Sequence, residues 1–167
     1  MLWAEATWSM TLTLLILVQF FHVLGAIIFV GGNIFFAAVV WPDLLRRPAA
    51  EGQAAFTAME KPVGFLMAGA GHLLLWLGLL RGTYFGPIQS FDALIHTGYG
   101  HTWLTALVLF VVLMGYGGMQ RARLRERIWD GDRVRPEAHA YLRRSNIITF
   151  TLLFMILGLM IMMRFGL

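Results

Sequence analysis

Four long apolar segments are the feature of this sequence that most limits what it can fold into. They cover residues 10–41, 62–81, 100–119 and 146–165. A helix that crosses a bilayer needs roughly 20 mostly apolar residues, and three of the segments have about that length. The first segment is longer, so we expect it to tilt or to extend beyond the bilayer.

The composition agrees with a membrane protein and excludes several kinds of site. Hydrophobic residues make up 59% of the 167 residues and charged residues only 13%, whereas about one quarter of a soluble domain is charged. The chain has no cysteine, which excludes disulfides, thiolate metal sites and cysteine-attached haem. Short connections between four spans predict one domain over residues 1–167, an all-α, integral membrane, antiparallel four-helix bundle.

The arginines predict the orientation of the bundle. Residues 120–145 hold eight arginines, residues 43–61 hold two arginines and Lys61, and residues 82–99 hold no lysine or arginine. Loops rich in lysine and arginine stay in the cytoplasm, so both termini are expected outside. We therefore predict a multi-pass protein of the bacterial inner (plasma) membrane, surrounded by the lipid bilayer and without a nucleic-acid partner.

Polar side chains inside the apolar segments are costly unless they have a partner. A helix rises about 1.5 Å per residue, so the position of a residue along a span gives its depth. On this scale His22 and His101 share a level about 27–29 Å from the cytoplasmic ends of their helices, close to the outer face. His72 and Asn33 share a level about 12–15 Å from that side, where an interhelical hydrogen bond is expected.

Two imidazoles at one depth on different helices favour a bis-histidine haem. Ionisable residues within a membrane span point by default to function, and imidazole is the commonest protein ligand for metals. We therefore predict haem b, one or two per chain, with His22 and His101 as the first axial pair and His72 as the alternative ligand. A glycine one turn away from each histidine is expected to leave room for the macrocycle: Gly25, Gly98 and Gly69.

Arg81 and Arg164 lie near the outer ends of their helices, where either could pair bidentately with a haem propionate. These features together predict a membrane electron-transfer protein, either a membrane oxidoreductase or an electron-transfer subunit. It would exchange electrons with a quinone, a periplasmic carrier or a larger respiratory complex.

Two alternatives remain open at this point. Thioethers bind Cu(I) well, so the methionines crowded in the fourth segment allow a copper permease, although methionine is also an ordinary packing residue. The other alternative is a haem-free structural subunit of a larger membrane complex, in which the histidines are hydrogen-bonded structural residues. The methionines concerned are Met155, Met160, Met162 and Met163.

Two stretches resemble a known family. FHVLGAIIFVGGNIFFAAVVWP, with a histidine, glycines and a terminal proline, is similar to the first helix of the CopD-like (copper-resistance protein D) superfamily. HTGYGHTWLTALVLFVVLMGYGGMQRARL is similar to a later helix of that superfamily. The superfamily includes the HemJ-type protoporphyrinogen oxidases, which are small haem membrane proteins. The resemblance implies a haem- or metal-associated role for His22. Where HemJ-type proteins carry a functional lysine, this chain has Thr105.

Overall fold

The computed structural model describes residues 2–166, with the side chains from residue 10 onwards, and almost all of this chain is helical. Four of the helical segments are long and apolar enough to cross a membrane, which confirms the predicted all-α membrane bundle. The elements in chain order are α1 (Leu2–Phe35), a π-helical segment (Phe36–Val40), α2 (Trp41–Arg46), α3 (Ala49–Gly82), α4 (Phe91–His96), α5 (Gly98–Ile128), β1 (Trp129–Asp130), β2 (Arg133–Val134) and α6 (Ala138–Arg164).

The first span passes without interruption through the π-helical segment into α2. Pro42, in the first turn of α2, explains the change in winding. A proline ring clashes with the carbonyl four residues earlier and offers no N–H to it. Wider winding before the proline relieves that clash and lets the helix continue to Arg46.

Two helices begin earlier than the sequence predicts. α3 begins at Ala49 and contains Pro62 in its interior, and α6 begins at Ala138. The residues before Pro62 are rich in alanine, glutamate and methionine, which are strong helix formers, so the helix tolerates one lost hydrogen bond. At about 1.5 Å per residue α3 is about 51 Å long, so it extends well beyond the hydrocarbon core of a bilayer.

Helices α1, α3 and α5 pack side by side in antiparallel pairs. Along α1 and α3, Gly25 lies against Leu74 and Gly32 lies against Met67, so residue numbers fall in one helix as they rise in the other. The same holds for α3 and α5, and α6 packs along α5. The predicted antiparallel arrangement follows directly from these pairs.

The end of the bundle that holds residues 120–145, which we call the arginine-rich end, is closed by a core outside the long spans. Trp41, Phe56 and Trp129 stack in sequence, with ring centroids 5.7 and 5.4 Å apart. A short hairpin, β1–β2, turns at Gly131, whose positive φ of 58° suits glycine. Gln53 of α3 donates a hydrogen bond of 2.5 Å to the Gly131 carbonyl and holds the hairpin in place.

Candidate functional site

A cavity of about 430 Å³ lies between the long helices in the half of the bundle nearer the arginine-rich end. We call it the central cavity. Phe29 and Leu113 line it on one side, and both belong to a buried apolar cluster in the middle of the bundle. Trp41 and Phe56 line it on the other side, and both belong to the core at the arginine-rich end. The cavity therefore lies between two apolar layers, and it is partly open, since His72 in its wall is exposed.

Thioethers from two helices line the central cavity. Met59 and Met67 come from α3 and Met114 from α5. A Cβ added at Gly32 would lie 2.5 Å from the Met67 Sδ, and one added at Gly71 would overlap the end of Met114, with Cε at 2.6 Å. The two glycines therefore provide the space that these two sulfur atoms occupy.

His72 and Asn33 line the same cavity. The predicted hydrogen bond between them is wrong, because each bonds within its own helix. Asn33 Nδ2 donates to the Phe29 carbonyl at 2.8 Å, and His72 Nδ1 lies 2.8 Å from the Ala68 carbonyl. Since a carbonyl can only accept, Nδ1 carries the proton, and the neutral ring keeps a free lone pair on Nε2.

The cavity is more polar toward the arginine-rich end. Arg121 of α5 lies over Gly64 of α3 and donates a hydrogen bond to the Glu60 carbonyl. Gln120 accepts from the Tyr141 hydroxyl and donates to the Tyr116 hydroxyl at 2.6 Å, which connects α5 with α6. This end of the cavity thus carries the Arg121 guanidinium, the Glu60 carboxylate and the neutral polar groups of Gln120 and Tyr116.

His22 lies on the other side of the apolar cluster, away from the central cavity. Its side chain is buried, with only 9% of the residue exposed, and its Nδ1 has no hydrogen-bond partner within the described part of the chain. The Nε of Arg81 donates at 2.9 Å to Gln19, one turn from His22, and the His22 ring faces Gly78. The structure therefore brings His22 and Arg81 into one polar group between α1 and α3.

His101 lies on a different face from His22, and their contacts with α3 do not place the two at one level. The His22 ring lies against Gly78, whereas Trp103, two residues after His101, lies against Gly82. Trp103 reaches α3, where its ring fills the space beside Gly82 and its Nε1 lies 3.4 Å from the Gly78 carbonyl. Side chains two positions apart on a helix point in directions that differ by about 200°. Because Trp103 points toward α3, the His101 side chain points away from it. Its Nε2 lies 2.7 Å from the carbonyl of Ile95, in the last turn of α4. His22 and His101 as axial ligands of one haem stay a prediction, and the structure does not bring them together.

One of the glycines beside the histidines, Gly25, has a different role from the one predicted, whereas Gly69 has open space beside it. A Cβ at Gly25 would touch Leu74 Cγ at 3.4 Å and Leu73 at 3.5 Å, so close packing of α1 against α3 occupies the space expected for a macrocycle. Arg164, the second predicted propionate partner, is exposed in the last turn of α6.

Of the four methionines that the sequence offered for copper in the fourth segment, three lie on the outside of the bundle and Met163 is partly buried. Met155, Met160 and Met162 are 50%, 37% and 43% exposed on the outside of the bundle, where lipid would surround them. The sequence analysis did not single out the methionines of α3 and α5 that do face inward.

A spacing in the sequence could have located the inward face of α3. Gly64, Gly71 and Gly78 are seven residues apart, and small residues at such intervals mark close contact between membrane helices. Arg121 and Met114 of α5 are also seven residues apart and lie over the first two of these glycines. Met67 and His72 flank this glycine stripe.

Among the side chains that the structure describes, from residue 10 onwards, no three histidine, aspartate or glutamate residues come together as a metal site. Imidazole and thioether groups line the central cavity and could hold a metal ion. Such neutral, soft donors suit Cu(I) better than Mg²⁺, Ca²⁺ or Mn²⁺.

Fold and site together define a multi-pass membrane protein, a helical bundle with an internal cavity lined by thioethers and one imidazole. Residues 64–163, more than half of the chain, match the family described as copper resistance protein D, and the chain belongs to that family. No curated protein matches the chain, and no solved structure does. The relation to the HemJ-type proteins stays a prediction.

The matched region runs from Gly64 to the last turns of α6 and leaves α1 outside. It therefore includes Met67, His72 and Met114 and does not include His22. The family match and the central cavity concern the same part of the molecule.

Proposed function

We propose that this protein is a copper permease whose central cavity binds Cu(I). The observation that carries the proposal is the set of neutral sulfur and nitrogen donors that line one partly open cavity, namely Met59, Met67, Met114 and the Nε2 of His72. Membership of the copper resistance protein D family supports the same metal. The ion is the cargo of the protein and remains Cu(I) throughout.

The chemistry of the donors suits a bound but mobile ion. Thioethers are neutral and soft, so they bind Cu(I) without the proton release that a thiolate ligand would require. His72 is held by its Nδ1–H bond to the Ala68 carbonyl, an arrangement that fixes the orientation of a ligating imidazole. Methionine side chains are flexible, so the sulfur atoms can follow an ion that moves.

The charges in the cavity indicate the level at which Cu(I) binds. Arg121 stands at the arginine-rich end and repels a cation, while the nearby Glu60 carboxylate offsets part of that repulsion. Met67 contacts Gly32, and Met114 contacts Gly71, which is next to His72. We therefore propose that the ion lies at the level of His72, away from the guanidinium.

A pair of double variants tests the binding site. Met67→Leu with Met114→Leu removes two thioethers that face the cavity, whereas Met155→Leu with Met162→Leu removes two that face outward. The purified protein would be titrated with Cu(I) in competition with a chromogenic Cu(I) chelator. We expect the Cu(I) affinity of the cavity variant to fall by about 10–100-fold or more. Mutating residues that only orient metal ligands already lowers metal affinity by about that factor.

The outward-facing variant is expected to bind as the wild type does. Equal affinity in the wild type and both variants would refute the cavity as the Cu(I) site. Uptake of Cu(I) into proteoliposomes then tests permeation, and binding without uptake would leave a copper-binding protein and refute the permease.

We propose haem b at His22 as a second candidate, because this buried imidazole has an unpartnered Nδ1 beside Arg81. A macrocycle there requires α1 and α3 to separate around Gly25. The test is a reduced-minus-oxidised spectrum of protein produced with ample haem. A haem band that disappears in His22→Ala and persists in His96→Ala supports electron transfer. The absence of any haem band in the wild type refutes it.

A further inference from the structure

A second recess, separate from the central cavity, lies between the first span and α6 at the arginine-rich end. Its volume is about 630 Å³, and we call it the α2–α6 groove. Arg46 at the end of α2 and Arg143 in the second turn of α6 line it, together with His139. Its other lining residues are mostly apolar, and no aspartate or glutamate is among them.

The two arginines are free to bind an anion. Arg47, the neighbour of Arg46, is paired with Asp43 at 2.6 Å, and Arg135 is paired with Asp130 at 3.5 Å. Among the residues that the structure describes, Arg46 and Arg143 have no such carboxylate partner within 4.0 Å. Two exposed guanidinium groups on one recess without a carboxylate form a site for phosphate, which arginine binds bidentately.

The shape of the groove distinguishes a lipid from a free phosphate. From Arg143 the groove follows α6 past Phe150 to Phe154, which at 1.5 Å per residue is about 16 Å. Half of a hydrocarbon core of about 30 Å is about 15 Å, so the groove spans one leaflet. Its walls along this length, Ile147 and Phe154, are 60% and 69% exposed to the lipid region.

We propose that the α2–α6 groove binds an anionic phospholipid, with its phosphate between Arg46 and Arg143 and an acyl chain along Ile147, Phe150 and Phe154. Basic pockets between membrane helices are known to hold anionic head groups. The lipid would fill the gap between the first and the last span of the bundle and hold the two together. This site is independent of the proposed copper site.

Native mass spectrometry of the full chain tests the proposal, with phosphatidylglycerol and phosphatidylcholine titrated separately. The variant Arg46→Gln with Arg143→Gln removes both phosphate ligands. Its matched control, Arg123→Gln with Arg125→Gln, removes the same charge from exposed positions of α5 that do not line the groove. Circular dichroism checks that all three proteins are folded.

We expect the wild type and the control to bind phosphatidylglycerol more tightly than phosphatidylcholine. The groove variant should lose about 25-fold in affinity for phosphatidylglycerol, about fivefold for each arginine near a lipid surface, and little for phosphatidylcholine. An equal loss in the control would show diffuse charge attraction and overturn the proposal. Equal affinity of the wild type for the two lipids would overturn it as well.

Two further experiments distinguish binding of a phospholipid from binding of a free anion. Thr151→Trp fills the apolar part of the groove without touching the arginines and should also weaken phosphatidylglycerol binding. Inorganic phosphate should compete poorly, since it lacks the acyl chain. Strong competition by phosphate, or full lipid binding by Thr151→Trp, would show that the groove recognises a free anion and refute the lipid.

Discussion

Replacing Gly71 by alanine should separate the copper site from the stability of the fold. The added Cβ would overlap the end of Met114, with Cε at 2.6 Å, and would lie 3.3 Å from Phe29 Cε2. Because the overlap is with the flexible end of a methionine, the side chain can turn away at modest cost. This rotation moves the Met114 sulfur from its position against Gly71.

The change in stability combines two opposing effects. Glycine to alanine within a helix is worth about 0.5–1 kcal/mol in favour of alanine. Overpacking a core typically costs about 1–3 kcal/mol, and flexible methionine atoms place this case at the low end. The free energy of unfolding of Gly71→Ala should therefore lie between no change and a loss of about 2.5 kcal/mol, nearer the smaller value.

Gly69→Ala is the matched control on the same helix. A Cβ at Gly69 would meet nothing within 4 Å. This variant should gain about 0.5–1 kcal/mol and bind Cu(I) as the wild type does. Gly71→Ala should lose at least about tenfold in Cu(I) affinity, as expected when a ligand is displaced.

Denaturant unfolding in detergent and competition with a Cu(I) chelator measure the two quantities on the same preparations. If Gly71→Ala keeps full Cu(I) affinity, and Met114→Leu does too, Met114 is not a ligand and the reasoning fails. If Gly71→Ala is as stable as Gly69→Ala, the contact between Gly71 and Met114 is absent from the protein.

Three further predictions concern the fold. Reporter fusions at Gly131 should read cytoplasmic and fusions at the C-terminus periplasmic; the opposite pattern would reverse the orientation derived from the arginines. Gly82→Leu, which overlaps the Trp103 ring, should lower the unfolding temperature in detergent, while Gly158→Leu, which meets nothing within 4 Å, should not; equal behaviour would argue against the Trp103 contact. Pro62→Ala should stabilise α3 by up to about 3 kcal/mol, the cost of proline in a helix interior, and an unchanged unfolding free energy would show that the helix is broken there.

The number of spans followed from the sequence, and the depth of the polar groups followed only in part. In lipid, a run of about 20 apolar residues must satisfy its own backbone hydrogen bonds, which a helix does. Four such runs therefore predicted four helices. The constant rise of a helix predicted one level for His72 and Asn33, and both line the central cavity. The same rule predicted one level for His22 and His101, but the His22 ring lies against Gly78 whereas Trp103, two residues after His101, lies against Gly82.

Helix boundaries outside the bilayer were harder to predict. Pro62 looked like the first residue of α3, but the helix begins at Ala49 and includes it. The preference of proline for the first turn of a helix favours a start at Pro62. Packing of Phe56 between Trp41 and Trp129 favours the longer helix, and the helix does begin at Ala49.

Which face of a helix points inward was decided by the tertiary structure, apart from the seven-residue glycine spacing that marks α3. In a soluble protein the apolar side of a helix identifies the core, whereas in a membrane the lipid-facing side is just as apolar, so hydrophobicity gives no such contrast. For that reason the sequence analysis considered Met155 and Met162 for copper and did not single out Met67 and Met114. Packing of α3 against α1 and α5, through glycines spaced to admit large side chains, turned Met67 and Met114 toward the cavity and left Met155 and Met162 outside.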